Sequence, residues 1–304
     1  MRVVATVLML LCSAAVCANA QPPGQTGVLL LAHGGAAQWN ERVTAVARAV
    51  DHTQPTEVAF GMASRASIQA AVDKLAARGV TSIVAVPLFV SSHSSVITST
   101  EYLLGLRAEA PADLTIFARM EHSAHGAPAS AASEHAAHRP AADPASPVTK
   151  TVPIRMTPAF NRHPIIAQIV ADRARSISKA PATEAVILVA HGPVPDEDNR
   201  RWLDDMKVLA EQVTSAAPFA SVDYMTVRDD AGPAMREAAT KDLRGRVEQQ
   251  VAAGRTVLIV PHLMSFGGIE QGIRKRLEGL SYVMTSQALM PDERIVEWVR
   301  ASSR

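Results

Sequence analysis

The sequence predicts an α/β protein: two tandem parallel-sheet units with helices on both faces. Two apolar runs, residues 27–32 and 185–190, each stop at an Ala-His-Gly corner. Unbroken apolar runs of that length suit strands buried on both faces. The same order of helical and strand patterns follows each corner, and strands alternating with helices of this length imply right-handed βαβ crossovers. With 48% hydrophobic residues and only 4% aromatics over 304 residues, the chain can fill two cores with Ala, Val, Leu and Ile.

Residues 1–20 stand apart from this fold. Arg2 gives a positive start, residues 3–11 are apolar, and Ala18-Asn19-Ala20 reads as a cleavage site before Gln21. This is the pattern of a secretory signal peptide, and the apolar run is too short to span a bilayer well. The mature protein is therefore expected to be exported, to the periplasm. Both cysteines, Cys12 and Cys17, fall in this segment. Their removal excludes disulfides, cysteine nucleophiles and thiolate ligands, so any metal must be held by His, Asp, Glu or solvent. The whole chain carries 30 basic and 29 acidic side chains. Loss of Arg2 brings the balance to zero, which leaves no basic field for nucleic acid. No later stretch predicts a membrane span.

In the first copy, helical periodicity is expected over 39–50 and 67–78, strands over 56–62 and 81–88, and a closing helix over 101–106. The second copy repeats this order with helices over 199–216 and 234–253, strands over 221–227 and 255–262, and a closing helix over 270–280. Gly79 and Gly254 are fitting helix stops. The two Ala-His-Gly corners are 158 positions apart (191 minus 33), whereas Pro87 and Pro261 are 174 apart (261 minus 87). About sixteen extra residues are thus expected in the second copy, around Arg228 to Arg246. Between the copies lies a stretch rich in Ala, Ser, Pro and His that reads as a disordered linker or insertion. The boundaries are set at 21–119 for the first unit, 120–149 for the linker and 150–304 for the second unit. Residues 151–156 can still resume as a strand of the first unit, with a helix over 160–178 leading into the second.

Ligands of open parallel sheets bind beyond the carboxyl ends of the strands. His33 and His191 end the first strand of each copy, and the loops after Pro87 and Pro261 end a later one. The first of these loops carries His93, and the second carries His262 and Glu270. The polar loops Trp39-Asn40 and Asn199-Arg200 are expected to reach substrate carboxylates. No dinucleotide fingerprint is present, since His33-Gly34-Gly35 is not a Gly-x-Gly-x-x-Gly turn.

Ala-His-Gly at a strand end, followed by Val-Pro-Leu-Phe-Val-Ser-Ser-His, resembles the cobalamin and siroheme class II chelatases, the CbiX group. The resemblance spans nearly the whole mature chain outside the linker. It implies two flavodoxin-like, chelatase-type units around a cleft, and insertion of a divalent metal into a sirohydrochlorin-type tetrapyrrole. Together with the strand-end reading it points to His33, His191 and Glu270 as catalytic residues, and to His33, His93, His191, His262 and Glu270 as metal contacts, although His262 has no counterpart in the first copy. Leu88, Phe89, Leu263, Met264 and Phe266 are expected to wall the macrocycle site. The metal enters as a substrate, Co2+ in the first place with Fe2+ or Ni2+ as alternatives, and no organic cofactor is implied. The chemistry suits these groups: a neutral imidazole binds a metal or takes a pyrrole proton, and a carboxylate takes the second. His122, His125, His135 and His138 in the linker form a candidate labile metal store. The chain departs from the family pattern at Ser95 and Ile269, where short members carry a Gly-x-His histidine. A rival reading is an exported metal- or tetrapyrrole-binding carrier without turnover, and a third is a structural or partner-binding scaffold. Partners are then a tetrapyrrole and metal ions, and the doubled chain is expected to be a monomer.

Overall fold

The computed structural model describes residues 24–124 and 143–304. Residues 1–20, with both cysteines, lie outside the described residues, as do His125, His135 and His138. His122 falls in a helix whose last side chains are likewise outside them.

The first sheet holds β1 (Thr26–Ala32), β2 (Thr56–Phe60), β3 (Ser82–Pro87) and β4 (Ile154–Met156), all parallel in the order β2-β1-β3-β4. The second holds β5 (Glu184–Ala190), β6 (Ser221–Thr226), β7 (Thr256–His262) and β8 (Val283–Met284), in the matching order β6-β5-β7-β8. In each sheet the chain reverses its direction of travel between the first and third strands. That is the switch point at which doubly wound sheets bind ligands, and it lies between the loops picked out from sequence.

Nine α-helices among the described residues cover the sheets: α1 (Ala37–Asp51), α2 (Arg65–Ala77), α3 (Ser95–Leu103), α4 (Leu114–Ala124), α5 (Pro164–Arg175), α6 (Asp196–Ala216), α7 (Pro233–Ala252), α8 (Ile269–Arg276) and α9 (Glu293–Ser302). None of them is long and apolar enough to cross a membrane. Strand alternation decides the layering. Val28, Leu30 and Val86 of the first sheet, with Val186, Leu188 and Val260 of the second, join one core with side chains of α1, α5, α6 and α9. Leu29, Leu31 and Ile83 face the other way, beneath α2, α3 and α4. Val189, Val257 and Ile259 do the same beneath α7 and α8. The helices between the sheets are exchanged across the units. Although α5 follows the first sheet, it packs on α6 and β7, and α9 packs on α1.

Several sequence expectations need correction. The helix expected at 101–106 begins at Ser95, where the Ser94 hydroxyl accepts from the Ile97 N–H; its run of Val, Ile and Thr hides helical periodicity. The linker expected over 120–149 is shorter at both ends. Its first residues complete α4, and Val148 is buried with its N–H on the Leu103 carbonyl. Because β4 pairs with β3, the boundary at 150 is too early, and sheet membership places it after Met156. The sixteen extra residues are not one insertion. Ala32 faces Phe60 and Ala190 faces Thr226, an offset of 166 (226 minus 60), so they divide equally between α6 and α7. Gly79 and Gly254 both stand just past a helix end with positive φ, at +76° and +75°. The seven residues by which α7 exceeds α2 are therefore at its start. They add about 10 Å of helix at the end that follows the carboxyl end of β6.

Candidate functional site

Each corner is built by a glycine with positive φ and braced by an asparagine. Gly34 has φ +81°, and the Asn40 side-chain oxygen accepts the Gly35 N–H at 2.8 Å. Gly192 has φ +77°, and the Asn199 side-chain oxygen accepts the Thr226 hydroxyl at 2.7 Å. In both cases it is the side-chain oxygen of the asparagine that braces the corner.

The two corner histidines differ in their surroundings. His33 is exposed, and its Nδ1 lies 2.7 Å from the Gly34 carbonyl oxygen. A carbonyl only accepts, so in the neutral ring Nδ1 carries the proton and Nε2 keeps a lone pair. His191 sits instead between two carboxylates. Its Nε2 is 2.9 Å from Asp230 Oδ2, and its Nδ1 is 3.6 Å from Asp229 Oδ2. Arg276 pairs with the other oxygen of Asp229 and donates to the Thr240 hydroxyl at 3.2 Å. Burial resists charge on His191, but Asp229 and Asp230 outweigh it and raise its pKa above the ordinary value. Burial likewise resists charge on Asp229, yet His191 and Arg276 beside it hold its carboxyl below the usual range.

Glu270 does not join His191 in this arrangement. It stands in the first turn of α8, and one oxygen accepts the Gly267 and Gly268 N–H groups at 3.0 and 2.9 Å. This carboxylate closes its own helix terminus, and the groups beside His191 are Asp229 and Asp230. Sequence reasoning missed them, although Asp-Asp directly after a predicted strand was a usable signal.

His262 is also misplaced as a metal contact. It is only 2% exposed, and burial lowers its pKa to about 4. It ends β7 opposite Ala190, one position past Pro261, as Leu88 stands one position past Pro87. It fills in the second unit the core position that leucine fills in the first. Leu88, Leu263 and Met264, expected to wall a macrocycle site, are likewise buried, while Phe89 and Phe266 are half-buried.

His93 reaches the unit boundary. Its Nε2 is 3.6 Å from Asp205 Oδ2 of α6, and its carbonyl accepts the Trp202 indole N–H at 2.6 Å. Burial raises the Asp205 carboxyl, against the pull of His93 and Arg162. On the same boundary, Arg42 of α1 donates to the Ser265 hydroxyl at 2.7 Å. A groove of about 480 Å³ runs beside it, lined by Val46, Pro291 and Val296 among others. Among the described residues no group of three or more His, Cys, Asp or Glu side chains is arranged to hold a metal. The five expected contacts are therefore not gathered into one site.

Comparison with known proteins agrees with the fold. Residues 27–177 match the family model CbiX. SirB from Bacillus subtilis with Fe3+ superposes with a TM-score of 0.59 at 16% identity, covering 91% of this chain and 94% of that one. The sirohydrochlorin chelatase SirB from Bacillus subtilis subspecies spizizenii in complex with cobalt gives 0.54 at 15%, covering 92% and 95%. DR2241 from Deinococcus radiodurans, a multi-domain protein with structural similarity to chelatases, gives 0.51 at 16%, covering 92% of this chain and 55% of that one. No curated protein matches in sequence. Two doubly wound sheets with exchanged helices, together with the family match, define a class II chelatase. Within that class the chain belongs to the CbiX family.

Proposed function

We propose that this protein inserts a divalent metal, cobalt in the first place, into a sirohydrochlorin-type tetrapyrrole. The carrying observation is the contrast between the two corner imidazoles. Insertion needs a group that binds the ion and a group that removes pyrrole N–H protons. His33, with Nδ1 tied to a backbone carbonyl, offers Nε2 as a metal ligand, the orientation that such outer hydrogen bonds commonly fix. His191 has Asp229 behind Nδ1 and Asp230 at Nε2; both carboxylates favour its charged form, so it takes a pyrrole proton once its own Nε2 proton has passed to Asp230 or solvent. The 3.6 Å gap to Asp229 is long, but catalytic hydrogen bonds often tighten only with substrate bound. Family membership supports the reaction class, and the two SirB structures hold Fe3+ and cobalt.

The test mixes mature protein with sirohydrochlorin and Co2+, Fe2+ or Ni2+ and follows the absorbance change over many turnovers. Turnover that His33→Ala and His191→Ala both abolish supports the reading; no metallation with any ion refutes it. A second reading, an exported carrier that binds without turnover, is favoured by Ser95 and Ile269 in place of the loop histidine and by the two-residue scale of the donor sets. Stoichiometric binding with no release of metallated product would select it. The export assumed in that reading rests on residues 1–20.

A further inference from the structure

The unit boundary holds a pair of donors that the proposed chemistry leaves unused. Asp205 of α6 is 8% exposed, and its Oδ2 is buried with no hydrogen-bond partner. His93, from the loop after β3, faces that atom with Nε2 at 3.6 Å. Arg162 lies 3.7 Å from the other oxygen, but its side chain is 65% exposed, so solvent screens it. A buried, unsatisfied carboxylate oxygen costs about 1–3 kcal/mol or more, and such groups commonly mark a function or an absent ion.

The spacing is informative. At 3.6 Å the two atoms are too far apart for a hydrogen bond. Bonds from a transition metal to imidazole nitrogen and carboxylate oxygen run about 2.0–2.2 Å, which at a tetrahedral angle sets the donors about 3.4 Å apart. The backbone that carries the imidazole is also held in place. The Trp202 indole donates to the His93 carbonyl, the His93 N–H donates to the Ser91 hydroxyl at 3.1 Å, and the Ser92 N–H donates to the Asn161 side chain at 2.7 Å.

We propose that His93 and Asp205, one from each unit, together hold a divalent transition-metal ion at the unit boundary, with water completing its coordination. No third His, Cys, Asp or Glu among the described residues joins them, so the ion is held weakly and exchanges readily. That behaviour suits an ion taken up for delivery rather than a resident structural one. Because its two ligands come from different units, the bound ion also ties the units together. The site is independent of the roles given to His33 and His191.

Titration of the full chain with Co2+, followed by calorimetry and by ligand-field absorption, tests this, with unfolding temperature measured with and without the ion. His93→Ala and Asp205→Asn are each expected to bind one equivalent fewer than the unaltered protein and to lose its metal-induced rise in unfolding temperature. His52→Ala, which alters an exposed imidazole outside both proposed sites, is expected to keep both signals. The linker histidines are common to all variants and cancel in the differences. Unchanged stoichiometry in His93→Ala overturns the proposal, as does retention of the ion by a folded Asp205→Asn. Should Asp205→Asn fold poorly, His93→Ala decides, since it alters only a half-buried loop side chain. Loss of binding in His33→Ala alone would sink this site while sparing the insertion reading.

Discussion

Positions 88 and 262 follow the strand-end prolines of the two units and face the same layer of helices, yet one is leucine and the other histidine. The His262 Nδ1 is buried without a partner. Replacing it with the residue of the first unit removes that unpaired group and keeps the volume. His262→Leu is therefore expected to stabilise the protein by about 1–3 kcal/mol in urea denaturation, with metallation unchanged; a destabilised variant would contradict the core assignment. His191 carries a pH signature of the opposite kind. Its folded pKa is raised, so its ion pairs stabilise the fold fully below the unfolded value of about 6.5 and lose that effect as pH rises through the raised value. The stability gap between the unaltered protein and His191→Asn is expected to be widest near pH 5.5 and to shrink toward pH 8.5. A gap independent of pH would remove the paired imidazolium from the account. At this scale the sequence disclosed the corner histidines, because a repeated Ala-His-Gly is conspicuous. It did not disclose their different partners, since Asp229 and Asp230 come from another strand end and have no counterpart in the first copy.

Strands and their terminating prolines were legible because unbroken apolar runs with matching ends are hard to mistake. Helix lengths were less so. The eight extra residues on each side of β6 leave no mark in composition and became visible only from strand register. Likewise α3 was shortened by its β-branched start, and α4 was hidden beside the Ala-rich insertion. Two glycines with positive φ, one past a helix end and one at a corner, offer a graded test of element geometry. Gly254 has positive φ with open space where a Cβ would sit, whereas a Cβ on Gly192 would lie 2.5 Å from that of Thr226. Gly254→Ala is expected to cost about 1 kcal/mol from backbone strain alone. Gly192→Ala should cost distinctly more, and should slow metallation by displacing His191. Equal costs in chemical denaturation would mean that the second corner is looser than its geometry indicates.

The whole molecule is joined by exchange of helices between its two units. Trp298 of α9 packs on Phe160 with ring centroids 4.2 Å apart, Arg300 donates to the Ala49 carbonyl at 2.6 Å, and the Ser303 hydroxyl bonds the Gln54 side chain. The chain end thus belongs to the core between the sheets. Trp298→Ala is expected to cost about 3–5 kcal/mol and to lower one shared unfolding transition; two separate transitions would show the units to be independent. The doubled α/β plan was readable from the repeated corners. The exchange was not, because α5 and α9 are ordinary amphipathic helices whose sequence does not state which sheet they cover. Across that exchange the loop after β3 meets α6 and the loop after β7 meets α1; under the proposed function the two corners divide the work of metal insertion. Steady-state metallation of sirohydrochlorin with varied Co2+ tests that division most directly. His33→Ala is expected to raise the metal KM at least tenfold with a smaller change in kcat, and His191→Ala to lower kcat at least a hundredfold with little change in metal KM. Full activity in either variant, or the same change in both parameters for both, would contradict it.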